Sequence, residues 1–345
     1  MYCHEVDRGK GRKLYLYSNK KINYNKVPAL ESIDQLGGHA RWHNFREEWV
    51  FYSPNRQNRT FLSDKIECPL CPGIKGKRLT DISVANYEIA VFNNRFSSLS
   101  TEKKPFSIRN NIKSDYSYGI CEVISYSSDH DIHLGSISNV NLNLLVKVWG
   151  ERYQKLMQDK NISYVLPFEN KGEEIGVTLE HPHGQIYAFS YVPEIVLKQA
   201  KNHEGKSSII NLINNLDKDL IINQDNNSIL FVPPFARYPF EIWLSPLSKV
   251  DHPGQLNNQE VNSIAKNLKL AVNKLNSIFK KSMPYTMSVN CAPRNFENKF
   301  HHYISFNPIR RDTNKLKFLA GIEQITGLML SDITPEKSAK ILKSV

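Results

Sequence analysis

His181-Pro182-His183-Gly184-Gln185 is the stretch on which the reading of this 345-residue chain turns. Upstream stand Phe168-Glu169-Asn170-Lys171-Gly172 and Gly176-Val177-Thr178-Leu179-Glu180, so the segment reads as strand, glycine-rich loop, strand. The two histidines open the second strand and are taken to face opposite ways, one imidazole tied down and the other turned to a pocket. Gly184 lets a backbone or ligand approach closely. Gln185 brings an amide that can donate to an anionic oxygen. With Asn, Lys and Thr close by, the cluster reads as a site that handles an anion; two loop histidines beside a proline is the plainer alternative.

Outward from this motif the chain alternates strands with two strong helices. Asn139 to Met157 places Leu142, Leu145, Trp149, Tyr153 and Leu156 on one apolar stripe. Asn258 to Lys280 does the same with Val261, Ile264, Leu268, Ala271, Leu275 and Ile278. Strands are expected at 46–54, 88–92, 119–126, 163–168, 185–191, 228–232, 239–246 and 300–306, the last carrying His301 and His302. Residues 1–40 read as an irregular segment, 41–200 as a first unit, 201–227 as a polar connection and 228–345 as a second unit. Both units share the order strands, long helix, strand with histidines, which suggests a duplicated α+β unit with the chemistry kept in the first copy.

A hydrophobic content of 40% with 23% charged residues predicts a packed globular core. No run of 18 apolar residues occurs and the first residues lack a secretory apolar stretch, so a soluble, cytoplasmic protein is expected, without membrane association. The net charge of +11 is spread over the chain rather than gathered in a stripe, which argues against nucleic acid and for a modest attraction toward phosphorylated small molecules. Five cysteines do not make a disulfide framework.

Two of them form a knuckle, Cys68-Pro69-Leu70-Cys71-Pro72-Gly73. Paired thiolates at this spacing suit a tetrahedral metal, zinc above all, and a redox dithiol is the rival. Two further ligands are needed; His130 and His181 are the candidates, with His133 as alternative to the third. With His181 held by metal, His183 becomes a neutral imidazole suited to attack phosphorus and to leave again, its ordinary pKa being about 6.5.

These motifs together resemble the galactose-1-phosphate uridylyltransferase family of the histidine triad superfamily. The resemblance rests on the Cys knuckle, Val91-Phe92-Asn93-Asn94-Arg95-Phe96, Phe-Glu-Asn-Lys-Gly, Glu-His-Pro-His-Gly-Gln-Ile-Tyr-Ala, Tyr238-Pro239-Phe240-Glu241, Pro308-Ile309-Arg310 and Lys317-Phe318-Leu319-Ala320-Gly321. It implies two fused histidine-triad-like units, each an antiparallel sheet with packed helices, and a homodimer. It also implies ping-pong exchange of UMP between UDP-glucose and galactose 1-phosphate through a uridylyl-histidine. By motif position His183 resembles the nucleophile and Gln185 its phosphate-stabilising partner; Cys68, Cys71, His130 and His181 match a zinc set. Arg56, Arg59, Asn94, Asn170 and Thr178 match nucleotide- and phosphate-contacting positions, and Lys317, Phe318 and Glu323 a segment that contacts the hexose, often from the neighbouring subunit.

The chain departs from the pattern in two places. A second metal site, a glutamate with three histidines in some members, corresponds here to Gln199, Asn290, His302 and Ile304, so its loss is expected. A tyrosine and a glutamine near the sugar correspond to Ile322 and Met329, implying a less polar hexose pocket. An ADP-sugar phosphorylase or adenylyltransferase of the same superfamily, and a non-catalytic nucleotide-binding relative, are the alternative readings.

Overall fold

The computed structural model describes residues 1–9, 11–25, 38–53, 68–74, 79–103, 105–107, 111–203 and 208–345. Its strands are β1 (Tyr2–Asp7), β2 (Lys13–Ser18), β3 (His39–His43), β4 (Glu48–Tyr52), β5 (Ile89–Asn93), β6 (Ser114–Tyr116), β7 (Gly119–Ser125), β8 (Tyr164–Lys171), β9 (His183–Phe189), β10 (Ile221–Gln224), β11 (Ser228–Phe231), β12 (Ile242–Pro246), β13 (Tyr285–Asn290), β14 (Tyr303–Pro308), β15 (Arg310–Asp312) and β16 (Lys315–Leu316). The helices are α1 (Asn139–Met157), α2 (Glu194–Lys201), α3 (Ile209–Asn214), α4 (Asn258–Ile278), α5 (Gly321–Thr326) and α6 (Pro335–Ser344).

Eleven strands form one sheet in the order β1-β2-β5-β7-β9-β8-β13-β14-β12-β11-β10, and β4-β3-β6 form a small second sheet. The duplication is explicit in the topology. The first unit runs β5, β7, α1, β8, β9 and the second β11, β12, α4, β13, β14. In each, the spatial order is first-second-fourth-third strand, and the two third strands, β8 and β13, pair antiparallel to fuse the sheets. Two antiparallel units are therefore present, but as halves of one continuous sheet.

Both long helices begin where side-chain caps start them. Ser138 accepts from the Asn141 amide, and Asn257 forms a reciprocal capping box with Glu260, each cap stabilising by about 1 kcal/mol. Their apolar stripes lie on one face of the sheet, where Leu142, Trp149, Ile264 and Leu268 pack against Ile124, Ile186, Val289 and Ile304. Alternation along β9 then decides the rest. Gly184, Ile186 and Ala188 are buried beneath the helices, while His183, Gln185, Tyr187 and Phe189 stand on the opposite, half-open face.

Residues 1–18 are not irregular as expected: β1 and β2 form a hairpin whose second strand pairs with β5 at the edge of the sheet. The segment 201–227 likewise contains α3 and β10, the latter closing the opposite edge. Among the described residues no helix is long and apolar enough to cross a membrane.

Candidate active site

The knuckle turn places the Cys71 Sγ 3.4 Å from His130 Nδ1 and 3.6 Å from His181 Nδ1. Cys68 completes a group whose four donor atoms lie within 4.8 Å of one another. His181 is 1% exposed, and its Nε2 donates to the Ser127 carbonyl at 2.7 Å. That bond fixes hydrogen on Nε2 and leaves the Nδ1 lone pair aimed at the thiols. Burial pushes the His181 imidazole down to about 4 and the Cys68 thiol up to about 12, the neighbouring sulfur of Cys71 adding to the second shift. A divalent cation would reverse the thiol shift by stabilising the thiolates, and two sulfurs with two neutral imidazoles are the donor set a tetrahedral ion takes. The residues present fit a metal. His133 is not among them; its Nδ1 accepts from the Gly135 amide.

Tyr87 supports this cluster and carried no motif in the sequence. Its hydroxyl donates to the Leu70 carbonyl at 2.6 Å, and lies 2.8 Å from Ser125 Oγ and 3.1 Å from His181 Nε2.

His183 is the first residue of β9, opposite Ser125 of β7. The expectation that the two histidines face opposite ways from one strand needs correction. Residues two apart in a regular strand share a face; His181 differs because it lies before β9, in a bend. The bend turns the His181 carbonyl back onto the next imidazole, so that His183 Nδ1 donates to it at 2.8 Å. With hydrogen on Nδ1, the Nε2 atom carries the lone pair.

Gly184 is required by packing. A Cβ there would sit 2.2 Å from the Tyr126 hydroxyl and 2.7 Å from the Phe168 carbonyl. Gln185 lies between Val123 and Phe168 in register, and the Asn94 amide reaches its Oε1 at 3.5 Å. Asn94 is itself fixed, its amide N–H donating to the Cys121 carbonyl at 2.8 Å. Asn170 is two residues along from Phe168 and pairs with Thr286 of β13, which puts it on the face that carries His183. Thr178 is half-buried in the loop between β8 and β9. Arg310 of the second unit ties that loop down through Glu174 at 2.7 Å. The structure thus gathers His183, Gln185, Asn94 and Asn170 on one face beside the Cys/His cluster.

Beneath that face, on the helix side, lies Glu169. Tyr285 donates to it at 3.2 Å. Burial lifts its carboxyl to about 7, against the pull of Lys171, Tyr285 and Tyr126.

Other candidates lie elsewhere. Arg56 and Arg59 fall outside the described residues. Lys317 and Glu323 form an ion pair within the C-terminal segment, Phe318 is 66% exposed, and Ile322 and Met329 follow in the same stretch. Of the four positions matching a second metal site, Gln199 and Asn290 present backbone carbonyls to His203 and His302, and Ile304 is core. His302 is fully buried, with no hydrogen-bond partner for Nε2 among the described residues.

Comparison with known proteins agrees with this geometry. The family description "Galactose-1-phosphate uridyl transferase, N-terminal domain" matches residues 29–193, and its C-terminal counterpart matches 198–345. The galactose-1-phosphate uridylyltransferase of Thermotoga maritima is 31% identical over 314 residues, covering 88% of this chain and 97% of that protein. The Haemophilus influenzae protein of the same name is 29% identical, covering 89% and 94%. A solved uridylyltransferase structure superposes with a TM-score of 0.78 at 25% identity over 89% of this chain and 97% of that one. The chain belongs to the galactose-1-phosphate uridylyltransferase family.

Proposed function

We propose that this protein exchanges UMP between UDP-glucose and galactose 1-phosphate through a covalent uridylyl-His183. The observation that carries the reading is the 2.8 Å bond from His183 Nδ1 to the carbonyl of His181, a residue itself fixed in the buried Cys/His group. In the first step Nε2 attacks the α-phosphorus of UDP-glucose, and the bond from phosphorus to the bridging oxygen breaks. Glucose 1-phosphate leaves with that electron pair. In the second step a phosphate oxygen of galactose 1-phosphate attacks, the phosphorus–nitrogen bond breaks, and Nε2 regains its lone pair. Gln185, oriented by Asn94, donates to the phosphoryl oxygens as charge develops. Asn170, Thr178, Arg56 and Arg59 contribute to nucleotide and phosphate binding.

Cys68, Cys71, His130 and His181 would hold zinc. Four protein ligands would close the shell, so the ion would supply folding energy and hold the His181 carbonyl rigid. Lys317, Phe318 and Glu323 serve the hexose from a neighbouring subunit. Support comes from the exposure of Phe318, Ile322, Ile325 and Leu328, each more than half open on a single chain. A homodimer covers them. Five free thiols suit a reducing, cytoplasmic setting.

The test is intact-protein mass spectrometry with UDP-glucose, then with galactose 1-phosphate. A gain of one UMP that galactose 1-phosphate removes, absent in His183→Ala at full metal content, is expected. An adduct from ADP-glucose alone would move the protein to the adenylyl branch, and an adduct retained in His183→Ala would refute the nucleophile.

A further inference from the structure

Three arginines converge on one carboxylate away from the residues used above. Arg8 and Arg12, from the turn of the β1–β2 hairpin, and Arg95, at the end of β5, lie 3.6, 3.9 and 4.0 Å from Asp81 Oδ1. The hairpin precedes residue 29, where the family match begins. Its turn is closed by Arg8 and Arg12 themselves, through backbone bonds of 2.9 and 3.1 Å. Asp81 is anchored to the knuckle by its amide, which donates to the Pro69 carbonyl at 2.9 Å.

The cluster is both buried and unsatisfied. The Arg8, Arg12 and Arg95 side chains are 4%, 12% and 21% exposed, and Asp81 8%. The contacts to Asp81 are too long for hydrogen bonds. Arg8 Nε and Nη1, Arg12 Nη2, Arg95 Nε and Asp81 Oδ1 are all buried without a partner among the described residues. Buried polar atoms in folded proteins are almost always hydrogen-bonded, and unpaired buried charge is costly. Three positive charges face one negative charge, an excess of two. Arg12 borders a cavity of 740 Å³ together with Gly11, Lys13 and Asn93, and the partial exposure of Arg12 and Arg95 leaves the cluster open to a small solute from their side.

We propose that Arg8, Arg12 and Arg95 bind a phosphate dianion, either free or as the head group of a phosphomonoester. The charge matches the excess of two, and several tetrahedrally arranged acceptor oxygens satisfy planar guanidinium forks in a way that a halide cannot. The depth of Arg8 excludes an acidic peptide. Arg95 directly follows Asn94, so the bound ion sits one residue from the partner of Gln185. The site uses none of the transfer residues and stands whether or not the chain transfers uridylyl groups.

The test uses the full chain freed of phosphate. Equilibrium dialysis with radiolabelled inorganic phosphate counts equivalents in the wild type, Arg12→Met and Arg12→Lys. One equivalent should weaken by about tenfold or more in both variants, since lysine keeps the charge but loses the fork. Glucose 6-phosphate is then added as competitor: displacement of that equivalent assigns a monoester, and retention assigns the free ion. Asp81→Asn raises the local excess to three and should tighten phosphate binding. Identical equivalents and affinities in the wild type and both Arg12 variants would overturn the proposal. So would an Asp81→Asn protein that melts lower and gains nothing from phosphate, the behaviour of a purely structural ion-pair cluster.

Discussion

Gly184→Ala tests the geometry of the site most directly, because the added methyl has nowhere to go. Ordinary carbon–oxygen contact begins near 3.4 Å, so distances of 2.2 and 2.7 Å demand that the Tyr126 hydroxyl retreat by about 1.2 Å (3.4 less 2.2) and the Phe168 carbonyl by about 0.7 Å (3.4 less 2.7). Tyr126 is 1% exposed and packed in the main core, so its ring has no room to swing. Phe168 is held by pairing to Gln185 on one side and Ser288 on the other. The strain therefore falls on β9. Overpacking of this kind costs roughly 1–3 kcal/mol, and the backbone contact places this case toward the upper end. A displacement of His183 approaching 1 Å would slow transfer by about 100-fold. The assay pairs thermal denaturation with the rate at which UDP-glucose deposits UMP on the protein. Tyr126→Phe removes the nearer of the two obstacles, so Gly184→Ala/Tyr126→Phe should regain part of both losses, with a coupling of about 1–2 kcal/mol. A Gly184→Ala protein that melts and reacts like the wild type would refute the packing described for β9.

Three further outcomes follow from the same structure. Removing metal with a chelator should lower the melting temperature by roughly 10 °C, with adduct formation lost in parallel; loss of activity at unchanged melting temperature would show that the ion is not structural. Arg310→Met breaks the 2.7 Å bond to Glu174 across the two units, at a cost of about 1–3 kcal/mol, and loosens the loop that carries Thr178. KM for the sugar nucleotide should rise several-fold, with kcat nearly kept; a fall in kcat at constant KM would contradict this. Burial holds Glu169 at about 7 against an ordinary 4.5, so the folded state keeps a proton that the unfolded chain releases. Stability should accordingly fall as pH rises from about 4.5 to about 7, by up to about 3 kcal/mol, and then level off. Denaturant titrations across that window should show the slope in the wild type and not in Glu169→Gln; equal slopes in the two proteins would sink the assignment.

What the sequence disclosed follows from where its periodicity was strong. The helix expected over Asn139 to Met157 has those bounds, because Ser138 caps it and its apolar stripe is uninterrupted. The hairpin at 2–18 escaped notice for the opposite reason. β1 is an edge strand with only Val6 buried, so it shows no alternation. The knuckle was legible because its two thiols stand at a fixed short spacing, and His181 because it belongs to the His-Pro-His-Gly-Gln motif. Tyr87, Glu174 and the Asp81 cluster were not, because their partners lie 17 to 94, 136 and 14 to 73 positions away in the chain, and irregular spacing carries no trace of contacts that only the fold creates.

The duplicated topology also shows how the two halves differ at the position of His183. Each unit opens its fourth strand beside the end of its second, and each places a buried histidine two residues ahead of that strand, His181 before β9 and His301 before β14. Both reach a carbonyl just beyond or at the end of the second strand, His181 that of Ser127 at 2.7 Å and His301 that of Pro246 at 3.2 Å. The units diverge at the next position that matters. His183 begins β9, whereas Tyr303 begins β14. Tyr303 packs its ring, tilted by 31°, against Trp243 at 4.5 Å and clusters with Ala200, Ile209 and Phe300, so α2 and α3 cover the face that stays half-open in the first unit. Burial raises its phenol far above the range in which it could act as a nucleophile near neutral pH. The second copy therefore has a histidine in the place of His181 but a core residue, Tyr303, in the place of His183, the proposed nucleophile. Within the same chain the second copy supports β8 through β13, and through Arg310 the loop leading into His183.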